Sequence, residues 1–123
     1  LKLHADANQA LNTVTAYGPG YVEINRQSYR GSLLILPEGP IQAWGVDGFD
    51  SLTEASLSEL LAMRPEIILL GTGAKQRFPH PRLSAPLARA GVGLDVMDTS
   101  AACRTYNILM AEGRRVLAAL LPT

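Results

Sequence analysis

The chain has 123 residues, with eleven Lys and Arg balancing eleven Asp and Glu, and 47% of it is hydrophobic. Length and composition fit one globular domain with its own core and exclude a wholly disordered chain. A net charge of zero argues against the global field of a nucleic-acid or anionic-membrane binder, and no apolar run approaches the ~20 residues that cross a bilayer.

Residues 1–12 are polar and alanine-rich and are expected to form a flexible N-terminal segment, with residues 13–123 as a single α/β domain. The N-terminus carries no signal-peptide core and no evident mitochondrial targeting segment, so the expected location is the cytoplasm. A single cysteine, Cys103, excludes an internal disulfide and fits a reducing compartment.

Residues 20–37 are expected to form two strands joined near Asn25–Ser28. Tyr21, Val22 and Ile24 favour the first, and the run Leu33 to Leu36 is closed by Pro37. Residues 39–45 are expected to add a third short strand. The segment "DSLTEASLSELLAMRP" carries the clearest helical signal. Ser51 and Glu54 fit a capping box, Leu57, Leu60 and Leu61 form one stripe, and Pro65 ends the element. The unbroken apolar run in "EIILLG" (66–71) predicts a strand buried on both faces. A short helix is expected from about Ser84, with Pro86 in its first turn. A strand follows over 91–98. The next helix is capped by Asp98 or Thr99 and closed by Gly113. Residues 114–122 suit either a helix or a buried strand by composition; length and Pro122 favour the strand.

From residue 41 onward, strands and helices alternate. That order predicts a three-layer α/β fold: a central mixed, mostly parallel sheet flanked by helices, with additional N-terminal strands. Ligands of such sheets bind beyond the carboxyl ends of the strands. The loops at 45–50, 71–82 and 98–100 would emerge there. Together they would gather Asp47, Thr72, Lys75, Arg77, Arg82, Asp98 and Thr99, with Arg104 one turn into the last helix.

The stretch "GTGAKQRFPHPR" (71–82) poses the sharpest question. It is not a dinucleotide fingerprint, because Gln76 stands where the third glycine belongs. It is not a P-loop, because the lysine comes too soon and no Ser or Thr follows it. Pro79 and Pro81 also argue against an immediate helix that could face a phosphate. The glycines still permit close ligand approach. The candidate ligand-binding residues are Gly71, Thr72, Gly73, Lys75, Arg77, Asp98 and Arg104, with an anionic small molecule as the ligand class. The alternative is a structural turn. Trp44 and Phe49 are the candidate partner-binding anchors if exposed, and core residues otherwise.

No catalytic constellation is recognisable. Asp47 and Asp98 would act as an acid–base pair only if their loops met, and capping is the simpler role. Cys103 beside Arg104, near a helix start, is either an activated thiol or a small buried side chain. His4 and His80 with one cysteine give no metal-ligand spacing, and no cofactor signature is present.

The second half, "ILLGTG" followed by "LDVMDTSAACRTYNILMAEGRRVLAALL", resembles a small-domain family of unknown biochemical function. Its eukaryotic members include mitochondrial complex I assembly factor 3. The resemblance is strongest over 65–121, and Met97 through Tyr106, Asn107 and Leu109 to Arg114 carry its specificity. It implies the three-layer fold with extra N-terminal strands and supports a strand over 115–121. It implies no catalytic residue, cofactor or substrate. The sites it carries over are Gly71, Thr72 and Gly73 in the turn and Arg104, Thr105, Tyr106 and Asn107 in the helix. The role it implies is assembly work on a respiratory membrane complex. The expected function is therefore a non-enzymatic interaction or assembly factor with a protein partner. The alternative is a small-molecule or anion-binding module, whether enzyme or not, built on the 71–82 loop. A homodimer is left open.

Overall fold

A computed structural model of the protein describes residues 11–123. Its elements in chain order are β1 (Val14–Gly18), β2 (Tyr21–Ile24), β3 (Gln27–Arg30), β4 (Leu33–Ile35), β5 (Gln42–Ala43), α1 (Glu54–Ser58), β6 (Ile67–Gly71), α2 (Pro81–Arg89), β7 (Gly93–Met97), α3 (Thr99–Ala111) and β8 (Val116–Leu120). Two sheets result. β1, β2 and β3 form an antiparallel meander, and the other strands lie in the order β5-β4-β8-β6-β7. β6 pairs in parallel with both β7 and β8, whereas β4 runs antiparallel to β8 and to β5. The central sheet is mixed, as expected, and helices flank it.

β8 shows how the layers are built. Every residue of it is buried, and alternate side chains leave a strand on opposite faces. Val116, Ala118 and Leu120 join a cluster with Ala102, Cys103, Tyr106 and Met110 of α3 and with Val14, Val22 and Ile24 of the small sheet. Leu117, Ala119 and Leu121 join the other cluster, with Leu57 and Leu60, Leu87 of α2, and Trp44. The three layers are thus α3 with the small sheet, the central sheet, and α1 with α2.

Several boundaries differ from the sequence expectation, each for a local reason. The apolar stretch expected as two strands over 20–37 forms three strands in two sheets. Asn25 and Arg26 both have positive φ, 50° and 70°, which suits the tight hairpin between β2 and β3. The chain then changes sheets after Gly31, φ 81°. β1 was not anticipated at all. The strand expected over 39–45 shrinks to Gln42–Ala43.

The helix cap is Thr53, not Ser51. The Thr53 side chain accepts from Ser56 N and the Ser56 side chain accepts from Thr53 N, which completes the capping box. Ser51 belongs to a 3-10 turn before it. The element tightens to 3-10 over Glu59–Met63 and ends at Arg64, which takes the left-handed conformation before Pro65. Proline disfavours α-helix in the residue that precedes it.

α2 begins at Pro81, three residues before the expected Ser84. Pro81 occupies the first helical position, where its missing N–H costs nothing. The His80 ring caps the helix by accepting from Arg82 N at 3.0 Å. Pro86 therefore lies inside the helix instead of in its first turn. α3 follows expectation at both ends. Asp98 Oδ1 accepts from Ala101 N at 2.9 Å. At the other end Gly113 N donates to Met110 O and Arg114 N to Leu109 O, with Gly113 at φ 82°, the Schellman closure.

The segment expected to be flexible, 1–12, falls outside the described residues up to position 10. Asn12 is described and is fixed. Its backbone N–H donates to Pro37 O, and its side-chain amide donates to Leu36 O and Gly39 O at 2.8 Å each.

Candidate functional site

The three loops named from the sequence do meet at the carboxyl ends of the strands. The turn after β6 is tied to the start of α3 and to the end of β8. Gly73 N donates to Thr99 Oγ1 at 2.8 Å, Thr99 N donates back to Gly73 O at 2.9 Å, and Thr99 Oγ1 donates to Leu121 O at 2.6 Å. Leu121 N completes the ring by donating to Gly71 O. The glycines make this closeness possible. A Cβ on Gly71 would lie 3.0 Å from Thr99 Cα and from Leu120 Cδ2, and Gly73 sits at φ 98° with Pro122 O 3.1 Å from a would-be Cβ. Neither position admits a larger residue without movement.

Thr72 is buried and fully engaged. Its N–H goes to Met97 O, and its hydroxyl donates to Lys75 O at 2.5 Å and accepts from Arg77 N at 3.1 Å. A phosphate cradle needs backbone N–H groups free to point at the anion. Here the N–H groups of Thr72, Gly73 and Arg77 have protein acceptors, whereas those of the exposed residues Ala74, Lys75 and Gln76 have none among the described residues. The turn is a latch joining β6, β7, β8 and α3.

The charged candidates divide. Arg77 pairs with Asp50 at 3.0 Å and lies over the Phe49 ring, 4.1 Å from its centroid, so the 45–50 and 71–82 loops are joined by a cation–π contact and an ion pair. Lys75, Arg82 and Asp47 are exposed. Asp98 caps α3. Arg104 is exposed and donates to the Tyr17 hydroxyl at 2.8 Å, a bond that favours its charged form. Among the described residues, no group of three or more His, Cys, Asp or Glu is placed to hold a metal ion.

The residues carried over on α3 form a clamp on the N-terminal strand. Asn107 Oδ1 accepts from Val14 N at 2.9 Å, and Asn107 Nδ2 donates to Val14 O at 2.8 Å. The side-chain amide thereby satisfies both backbone groups of a residue on the edge strand of the small sheet. Tyr106 is fully buried and donates its hydroxyl to Asn12 O at 2.7 Å. Burial pushes the Tyr106 pKa up, which keeps it a donor. Thr105 makes no side-chain hydrogen bond among the described residues.

Two candidate roles are corrected by burial. Trp44 is 8% exposed and packs with Leu52, Leu57 and Leu87, so it offers no anchor to a partner. Phe49 is half-buried beneath Arg77. Cys103 is fully buried, and burial, partly offset by Arg104, raises its pKa from 9.0 to about 12. A thiol so placed is inert at neutral pH.

A groove of about 660 Å³ lies elsewhere, between α2 and the edge strand β7. Phe78, Pro79, Leu87, Val92, Leu94 and Val96 supply its apolar walls. Phe78 is 73% exposed. The sequence held a signal for it, a phenylalanine between an arginine and a proline in a loop, but reading the loop as basic passed over the aromatic.

Residues 14–121 match the family described as "Protein of unknown function (DUF498/DUF598)". A zebrafish (Danio rerio) protein, "NADH dehydrogenase [ubiquinone] 1 alpha subcomplex assembly factor 3", is 33% identical over 111 residues, covering 89% of this chain and 63% of the relative. An uncharacterised Rhodobacter capsulatus protein is 41% identical over 109 residues, covering 89% of this chain and 83% of its own length. Among solved structures, a crystal structure of a Bordetella parapertussis protein superposes with a TM-score of 0.88 at 49% identity, covering 93% of this chain and 98% of that one. The match spans both sheets, the glycine latch and the α3 clamp, and the chain belongs to the DUF498/DUF598 family of proteins of unknown function.

Proposed function

We propose that this chain is a non-enzymatic protein-interaction module of the assembly-factor type. One observation carries the proposal: Thr72, Gly73 and Thr99 of the strand-end turn are bonded within the protein, while an open groove of about 660 Å³ is walled by apolar side chains and rimmed by an exposed phenylalanine. Buried polar groups already paired contribute rigidity, whereas exposed apolar surface contributes to association when it is covered. The zebrafish relative is, by its name, an assembly factor of the NADH dehydrogenase [ubiquinone] 1 alpha subcomplex, and this chain spans 63% of that relative's length. A role in building a membrane-bound complex, the identity of the partner and a cytoplasmic location are all part of the proposal. No helix among the described residues is long and apolar enough to cross a membrane.

The test is affinity purification of the tagged chain at native expression, in parallel with Phe78→Ser. Because Phe78 is 73% exposed, the variant should melt as the wild type does. The expected result is a discrete partner retained by the wild type and depleted by the variant. Recovery of no specific partner by the wild type would overturn the proposal.

A further inference from the structure

The groove has a second property besides its apolar walls: one side of it is an open sheet edge. β7 is the terminal strand of the central sheet and pairs only with β6. Met97 O accepts from Thr72 N, so the backbone groups of Gly93, Asp95 and Met97 face β6. By the alternation of strand hydrogen bonding, those of Leu94 and Val96 face outward. Val96 O receives the side-chain amide of Gln76 at 3.0 Å, an exposed contact. Among the described residues nothing is bonded to the outward N–H and C=O of Leu94 or to the N–H of Val96.

We propose that the edge of β7 is a docking site for an extended segment of a partner protein. The segment adds as a sixth strand, displaces the Gln76 amide, lays apolar side chains in the groove and sets a Lys or Arg against Asp95. This deepens the interaction reading above and rests on it. Backbone pairing supplies affinity in such complexes, and alternate side chains supply specificity. The charge requirement comes from Asp95. It is exposed, it is the sole charged side chain lining the groove, and it is in neither ion pair of the described residues. It also disfavours one pairing with a second copy of this chain. A two-fold pairing that bonds Leu94 to Val96 of another copy places Asp95 directly opposite its counterpart, and like charges there are destabilising. The carboxylate thus weakens self-pairing in that register while favouring a basic partner strand.

The test uses two blocked synthetic peptides, one alternating valine with lysine and one alternating valine with glutamate. Amide hydrogen exchange of the wild-type chain is followed by NMR. The expected result is that the lysine peptide slows exchange at Leu94 and Val96 by about tenfold or more. The glutamate peptide should bind at least about tenfold more weakly, and Asp95→Lys should reverse the preference. Unchanged exchange at Leu94 under excess lysine peptide, or indifference to Asp95→Lys, overturns the edge proposal. The affinity purification is repeated with Asp95→Lys. A partner depleted by Phe78→Ser but retained by Asp95→Lys leaves the interaction reading standing and overturns strand addition. Absence of any partner for the wild type overturns both.

Discussion

Replacing Asn107 should unfasten the small sheet from α3. The amide makes two hydrogen bonds, at 2.9 and 2.8 Å, to the N–H and C=O of Val14, whose residue is only 7% exposed. Asn107→Ala leaves both backbone groups without their partners. An unsatisfied buried polar group costs about 1–3 kcal/mol. Asn107 itself is half-buried, so water recovers part of this, and the expected loss is about 2–4 kcal/mol. Asn107→Asp separates the two bonds. The introduced carboxylate still accepts from Val14 N, but it turns a second oxygen on Val14 O where a donor stood. Its protonated form can donate again. The folded-state pKa of the introduced carboxyl is therefore raised above its unfolded value of about 3.9. A raised pKa means its favourable contribution is complete below the unfolded value and is lost as pH rises through the folded one. The assay is urea unfolding followed by circular dichroism at pH 4.5 and 7.5. Each variant is expressed as a difference from the wild type at the same pH, so that other titrations cancel. The Asp variant should show the smaller deficit at pH 4.5. A loss below about 0.5 kcal/mol for Asn107→Ala, near the lower limit for one hydrogen bond, would refute the clamp. Equal deficits of the Asp variant at both pH values would refute the donor argument.

Three further outcomes test the site. Thr99→Val removes the acceptor of Gly73 N and the donor to Leu121 O, both buried, and should cost about 2–4 kcal/mol in urea unfolding, with Thr99→Ser retaining most of the stability. Cys103 has its pKa raised to about 12 by burial, from an ordinary 9.0. Its stabilising contribution is complete below pH 9 and fades between 9 and 12 as the unfolded thiol ionises first, so stability should fall with pH in that window less steeply for Cys103→Ala than for the wild type, and thiol labelling at pH 8 should require denaturant. Arg77→Ala breaks an exposed ion pair and a cation–π contact and should change the melting free energy by no more than about 1 kcal/mol; a larger loss would show that the 49–51 turn depends on it.

Where the controlling interactions are a few residues apart, the sequence was readable. β6 announced itself by four consecutive apolar residues before a glycine. α3 announced both ends, through Asp98 as cap and Gly113 as stop, and each works through bonds spanning five residues or fewer. The start of α2 was readable in principle. Pro81 starts the helix that its presence argues against, and the His80 ring caps it in place of Ser84. The loop convergence followed from topology alone. The role of the turn did not follow from topology, because glycines, a threonine and basic residues in one turn fit an anion site as well as the structural turn that is the commoner use of glycine. Thr99, which ties Gly73 to Leu121, lies 26 residues from Gly73.

The sequence by itself therefore determined the layer order, the buried parallel strands, the caps of the last helix and the family. All but the family rest on periodicity and on capping, whose physical causes act within one or two turns of chain; the family rests on the resemblance of the second half. The tertiary structure alone decided that Trp44 and Cys103 are core, that the 20–37 stretch serves two sheets, and that Asn107 holds Val14 from 93 positions away. It also left β7 at the sheet edge with Phe78 beside it. Which strand becomes an edge, and which aromatic stays in water, depends on how every other strand finds its partner. That is a property of the closed set of pairings, and no window of sequence contains it.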